Sequence, residues 1–272
     1  MTAPSPYALA GTIRSIIEAH GEAAAVTVYG QTLANTASAA ANAQLKIPRD
    51  RGAFVIVGMY LSSVLNNDST NGSRLSVTAG GRQVTKGPVV SHALCGFNNN
   101  TSPLALWRAP IIMYGGGIFS IQASLRSGVM GGDEYPTIWG YHCSRRAAQA
   151  VEAQLGQLAI VPLETDDASV PLTPGHEFTH DTRVDAFFRG SFGFSGVATF
   201  SAVRLRIGGH DLLGSGFKTP LALPQSTMLD SPRAEVGAWV RRGQMATLEQ
   251  QGASATTRLE IPLICAEFPR GG

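Results

Sequence analysis

Two imidazoles and a carboxylate stand close together at His176, Glu177 and His180. Carried on a helix, the spacing His-Glu-x-x-His turns both imidazoles to one face. There they can hold one zinc ion while the carboxylate polarises a bound water for peptide hydrolysis. The neighbouring residues argue against a helix. Pro171, Pro174 and Gly175 come directly before the motif, and Arg183-Val184-Asp185-Ala186-Phe187-Phe188 alternates like a strand after it. On a strand, positions i and i+4 share a face but lie roughly 13 Å apart, too far to grip one ion. No acidic third ligand follows His180 at a useful helical spacing. The stretch therefore reads as a polar loop entering a strand, and a zinc metallopeptidase is kept as the distant alternative.

The other chemistry-bearing types are weaker. Asp133-Glu134 and Asp166-Asp167 are acidic loop pairs that could meet a cation together with main-chain oxygens, but pairs of this kind usually remain solvated. Gly115-Gly116-Gly117 lacks the strand-then-helix setting of a phosphate loop and reads as a bend between strands. Trp107, Trp139 and Trp239 sit in or beside strand patterns and suit a core better than a sugar-stacking platform. Cys95, Cys143 and Cys265 are too scattered for a disulfide framework or a zinc ribbon, and read as buried thiols. Asn67-Asp68-Ser69, Asn71-Gly72-Ser73 and Asn100-Thr101-Ser102 match the glycosylation pattern but read as polar loop tips. No catalytic, cofactor-binding or metal-ligating residue is assigned, and no enzymatic activity is expected.

The elements around these residues are strands. Arg74-Leu75-Ser76-Val77-Thr78-Ala79-Gly80-Gly81-Arg82-Gln83-Val84 alternates apolar positions and then turns at Gly-Gly, the signature of a tight hairpin. Val203-Arg204-Leu205-Arg206-Ile207-Gly208-Gly209-His210-Asp211-Leu212-Leu213 repeats it at an offset of 128 (208 − 80), close to half of the 272 residues. Strand patterns at Phe54 to Leu61, Pro110 to Tyr114, Ile118 to Ala123 and Thr137 to Cys143 make a first unit. A second runs from Val184 through Glu235 to Val240 and Gln244 to Leu248, and ends on Arg258 to Cys265. Pro262 inside that last pattern predicts an edge strand or a bulge. Leu9, Ile13, Ile16 and Ile17 mark an amphipathic helix over 8–20, stopped at Gly21, and Ala147, Ala148, Val151 and Leu155 mark a connecting helix. The predicted fold is all-β: two tandem jelly-roll barrels with a short N-terminal helix and a connecting helix. Its expected divisions are an arm over 1–43, a first jelly roll over 44–143, the connecting helix and loop over 144–174, and a second jelly roll over 175–272.

Charged residues make up 15% of the chain, against about 25% in an ordinary soluble protein, so less of the surface is built to be hydrated alone. A net charge of +2 without a concentrated basic face gives no reason to expect a specific nucleic-acid partner. The basic face of a membrane-lying helix is missing from 8–20, which is expected to pack on its own protein. No run of about 18 apolar residues and no basic-then-apolar leader is read at the start, so neither a membrane span nor a secretion signal is expected.

The tandem units, helical arm, connecting helix and duplicated strand-Gly-Gly-strand hairpin resemble the double jelly-roll major capsid proteins of tailless, membrane-containing icosahedral bacteriophages. The likeness covers 44–268 and rests on Gln44 to Pro48 leading into Phe54 to Leu61, on Arg74 to Val84, and on their counterparts Arg183 to Phe192 and Val203 to Leu213. It implies a homotrimer whose six barrels form a pseudo-hexagonal capsomer that tiles an icosahedral shell. Neighbouring capsomers and other virion proteins would be its partners, and the arm would face inward, toward neighbours or an internal membrane. Localisation would be the virion, assembled in the host cytoplasm. Another virion component on the same architecture (a decoration, spike or tail protein) is the alternative, and a sugar-binding module a more distant one.

Overall fold

The computed structural model describes residues 6–30, 40–60, 74–90, 109–124, 136–164, 176–177, 184–191, 194–195, 202–207, 210–211, 238–240, 244–251 and 259–269. The chain divides into two compact units, Met1–Ile160 and Val161–Gly272.

In the first unit, α1 (Pro6–Ala19) begins on a proline, whose missing N–H falls where a helix has no partner for it. Leu9, Ile13, Ile16 and Ile17 form its buried stripe, as the spacing predicts. The helix closes with amides of His20 and Gly21 returning to the carbonyls of Ile17 and Glu18 at 3.0 and 2.9 Å. Gly21 takes φ 78°, the left-handed turn that glycine makes without steric cost. The other helix, α2 (Arg145–Leu155), is capped by Ser144, whose hydroxyl accepts from the Ala147 amide at 3.2 Å, and it ends on Gly156. The Glu22 carboxylate accepts from the Ser144 amide at 2.6 Å and from the Ser144 hydroxyl. That places a negative charge at the positive end of α2 and ties down the segment leaving α1.

The strands of this unit are β1 (Val26–Gly30), β2 (Ala40–Lys46), β3 (Ala53–Tyr60), β4 (Arg74–Ala79), β5 (Arg82–Gln83), β6 (Val89–Val90), β7 (Ile111–Tyr114), β8 (Ile118–Ser124) and β9 (Thr137–Cys143). They form two antiparallel sheets, β1-β9-β3-β7 and β2-β8-β4-β5, with β6 beside β4. In the second sheet the buried residues alternate and meet across strands: Leu75 opposite Ala123, Val77 opposite Ile121, Ala79 opposite Phe119. In the first sheet, Ala53, Phe54, Val55, Ile56 and Val57 are all buried without alternation. The reason is cover on both faces: α1 and α2 pack on β9, β3 and β7, and the second sheet meets the first where β4 contacts β7. The arm helix thus lies on its own protein.

The second unit contains β11 (His176–Glu177), β12 (Val184–Ser191), β13 (Phe194–Ser195), β14 (Ala202–Ile207), β15 (His210–Asp211), β16 (Ala238–Val240), β17 (Met245–Gln251) and β18 (Leu259–Pro269). It takes up the continuation of β10 (Gln157–Glu164) from Val161 onward. Its sheets run β10-β18-β12-β16 and β11-β17-β14-β15, with β13 beside β18. Matching β1 with β10, β2 with β11, β3 with β12, β4 with β14, β5 with β15, β7 with β16, β8 with β17 and β9 with β18 puts each strand in the same seat of both units. The hairpins agree to the residue. Ala79 faces Arg82 across Gly80 (φ 58°) and Gly81 (φ 85°), and Ile207 faces His210 at the same offset of 128 (207 − 79). Two consecutive positive φ angles define the hairpin turn whose twist matches the strands. The chain is an all-β protein with a jelly-roll-like fold, and two helices lie among the described residues.

Several expectations need correction. β1 and most of β2 precede residue 44 and belong to the sheets of the first unit, not to an arm. Val26-Thr27-Val28-Tyr29 of β1 favours a strand by its own residues, whereas β2 has a weak pattern and is extended by its pairing with β8. Similarly, β10 starts at Gln157, inside the expected connecting loop, and its first residues still belong to the first unit: the Lys86 amide donates to the Ile160 carbonyl and the Ile160 amide to the Val84 carbonyl, each at 2.8 Å. Pro262 lies in β18, an interior strand, so of the two expected settings the edge is excluded and the ladder irregularity remains. It falls between the segment paired with β13, which reaches Glu260, and the segment paired with β12, which resumes at Leu263. A residue without an N–H is tolerated in that gap.

Candidate functional site

His176 and Glu177 form β11, paired with Ala246 and Met245, so they are on a strand and not on the helix that a zinc-peptidase motif needs. His180 lies outside the described residues, as do Asp133, Glu134, Asp166, Asp167, Trp107 and Cys95. Among the described residues no group of three His, Cys, Asp or Glu side chains could hold a metal ion. Gly115-Gly116-Gly117 is the bend between β7 and β8, its amides donating to Gly52, Ile47 and Tyr114 carbonyls at 2.8, 3.1 and 2.9 Å. Cys143 and Cys265 are buried and form no disulfide, and burial pushes the Cys143 thiol up to about 12. Trp139 lies half-buried against the backbone of Gly58, and Trp239 is in β16 opposite Phe187.

The structure assembles a cluster that the sequence did not mark. β9 lies between β1 and β3, which brings Tyr29, His142 and Phe54 together. The Tyr29 hydroxyl and His142 Nε2 share a hydrogen bond of 2.6 Å across 113 residues of sequence. The Phe54 ring stands edge-on to Tyr29 at 5.1 Å and tilted over His142 at 4.8 Å. Burial holds the His142 imidazole below its ordinary value. Main-chain groups of Ala53 and Arg51 oppose this weakly, while Arg51's charge lowers it and Asp50's raises it. No hydrogen-bond partner reaches Nδ1 among the described residues. A neutral ring can take the Tyr29 proton at Nε2, whereas a charged ring cannot.

This arrangement predicts a pH dependence. With the folded value lowered, the unfolded chain binds the proton first as pH falls, so stability is held above the ordinary histidine range, near 6.5, and lost below it. Thermal melting measured between about pH 8 and pH 5 should show the midpoint falling on the acid side. The fall should be smaller in His142→Phe; an unchanged profile would exclude the cluster as its source.

Beside this cluster, β1 is the outer strand of its sheet. Its residues alternate between half-buried Thr27 and Tyr29 and outward Val26 and Val28, whose exposures are 59% and 60%. Two exposed valines on a sheet edge are unusual for a surface meant only for water. No helix among the described residues is long and apolar enough to cross a membrane.

The class these observations define is a doubled jelly-roll-like protein. No family model and no curated protein sequence matches the chain. Among solved structures it is similar to the major capsid protein P2 from bacteriophage PM2, at 9% identity over 91% of this chain and 100% of that one, with a TM-score of 0.45. It is also similar to PNGase F, a glycosylasparaginase from Flavobacterium meningosepticum, at 12% identity over 90% and 96% with a TM-score of 0.37. A third is a peptide-N(4)-(N-acetyl-β-D-glucosaminyl) asparagine amidase, at 12% identity over 88% and 96% with a TM-score of 0.38. At these identities and TM-scores the likenesses assign no role to this chain. The expectation that the chain is not an enzyme is withdrawn, because two of these similar structures are amidases.

Proposed function

We propose that the chain is a structural virion protein, a major capsid subunit that trimerises into a pseudo-hexagonal capsomer. The observation that carries this reading is the repetition of one eight-strand order in both units, hairpin register included. Two like barrels in one polypeptide mean that a threefold axis generates six like barrels, which is the requirement for packing a curved sheet of hexagons from one gene product. Low charge supports it, because lateral faces must leave water when subunits meet. The exposed valines of β1 are suited to such a face. Neighbouring capsomers, other virion proteins and an internal lipid layer are the proposed partners, and the virion the proposed location. The proposed domains are the two jelly rolls, with α1 as an arm that folds back on the first.

Light scattering on the purified full chain tests the reading. A trimer of about 86 kDa (3 × 28.6 kDa) is expected, and hexagonal capsomers in electron micrographs of its assemblies. A chain that stays monomeric from nanomolar to high micromolar concentration overturns it.

A further inference from the structure

Two strands hold matching outer seats, β1 beside β9 and β10 beside β18, but their edges differ. β10 contains Pro162 and Glu164, residue types that blunt an edge. Ile160 within it already exchanges two hydrogen bonds with Val84 and Lys86, each at 2.8 Å. β1 has neither protection. No charged residue and no proline occurs from Ala23 to Gly30, and all five residues of β1 pair with β9 without a bulge. Among the described residues no strand lies on its other side. A straight, uncharged edge of this kind is a template for pairing with another chain.

The edge is also held ready. The Tyr29–His142 hydrogen bond and the Phe54 ring fix one face of β1, so little order has to be created on docking. Val26 and Val28 stand on the opposite face, directly across from Tyr141 and Trp139, and are 59% and 60% exposed. Only Ile118 and Met245 join them as exposed large apolar residues among the described ones, so this strand concentrates what apolar surface is left in water.

Whatever covers the edge must bring an unpaired strand, an apolar row, and no charge to bury beside the valines. β1 of a second copy meets all three conditions. Laid antiparallel about a two-fold axis through Thr27, it sets each Val26 opposite Val28 of the partner subunit. β-branched residues facing one another across strands stabilise the pair, and a neutral edge does not repel its own copy. We propose that β1 is a homotypic docking edge, on which β1 of a second copy pairs in this register and continues the sheet β7-β3-β9-β1 into one of eight strands. One strand per copy makes a contact below the roughly 1,200 Å² of stable interfaces, so a Kd of about 10 to 100 µM is expected. The inference does not rest on the shell reading, because a two-fold pair forms with or without a threefold assembly.

Sedimentation equilibrium of the full chain from about 1 µM to 1 mM is the first test. Pairs of about 57 kDa (2 × 28.6 kDa) are expected, or of about 172 kDa (6 × 28.6 kDa) where trimers pair. Val28→Lys puts two like charges into the contact and should weaken pairing at least tenfold while leaving the melting midpoint unchanged. Gln149→Lys, equally exposed but on α2, should pair as the parent does. The second test reads the register. Val26→Cys chains mixed with Val28→Cys chains should form several times more intermolecular disulfide than either alone, over the background of the parent. Directly opposite residues lie within disulfide reach, whereas like residues lie about 7 to 8 Å apart on the diagonal. Trimers that never pair overturn this inference and leave the shell reading standing; pairs without trimers do the reverse. Unchanged pairing in Val28→Lys overturns it as well. So does the absence of excess mixed disulfide, which would mean that another strand or partner takes the edge. Should Val28→Lys fail to fold, the mixed disulfide decides.

Discussion

Gly140→Ala is expected to cost more than about 3 kcal/mol and to lower the melting midpoint by roughly 6 to 12 °C, with a matching loss of soluble protein. Gly140 is buried in β9, flanked by Thr27 of β1 and Ile56 of β3. A Cβ at this position would lie 2.0 Å from the Val55 carbonyl oxygen, 2.8 Å from its carbon and 2.9 Å from Ile56 Cα. All three atoms are backbone in an interior strand, so no rotamer change relieves the clash. Either the β3–β9 ladder separates or the register slips, and a slip of one residue would turn the buried face of β9 outward. The ladder is already irregular nearby, shifting between Ile56 and Gly58. Calorimetry on the purified variant is the check, and a midpoint within about 1 °C of the parent would refute the steric argument.

Phe54→Ala is expected to cost about 3 to 5 kcal/mol. Phe54 is fully buried, and its ring packs against both Tyr29 and His142. Removing it leaves a hole that strands fixed by two ladders cannot collapse to fill, because β3 pairs with both β7 and β9. It also removes the ring that positions the Tyr29–His142 hydrogen bond, so the acid-side loss of stability should shrink as well. Combining Phe54→Ala with His142→Phe should give less than the sum of the two single effects, since both act on one cluster. Additive effects in denaturant melts would show that the two residues act separately. The cost also separates packing from assembly, because Phe54 has no exposed surface through which it could affect a partner directly.

Much of the fold was legible in the sequence because it is encoded locally. Glycine pairs at 80–81 and 208–209, between alternating apolar residues, specify two hairpins through backbone chemistry that involves only their own neighbours. Leu9, Ile13, Ile16 and Ile17 reveal α1 by spacing alone, and Ala147, Ala148, Val151 and Leu155 reveal α2 in the same way. The edges of the units were not legible. β2 contains Ala40-Ala41-Asn42-Ala43, small residues with little preference for a strand, and is extended because β8 pairs with it along its whole length. The chemistry of HEFTH was equally ambiguous, since one spacing serves a zinc site on a helix and none on a strand.

Sequence by itself determined that one β unit is used twice, that α1 and α2 accompany it, and that the chain carries little charge. Tertiary structure alone decided that Tyr29 reaches His142, that the Tyr114 hydroxyl reaches Glu152 on α2, and that β1 is an outer strand with two exposed valines. The physical reason is separation along the chain. Turns, caps and helical stripes form from residues within a few positions of one another, whereas each of these three features depends on a partner brought close only by helix packing or by pairing between distant strands.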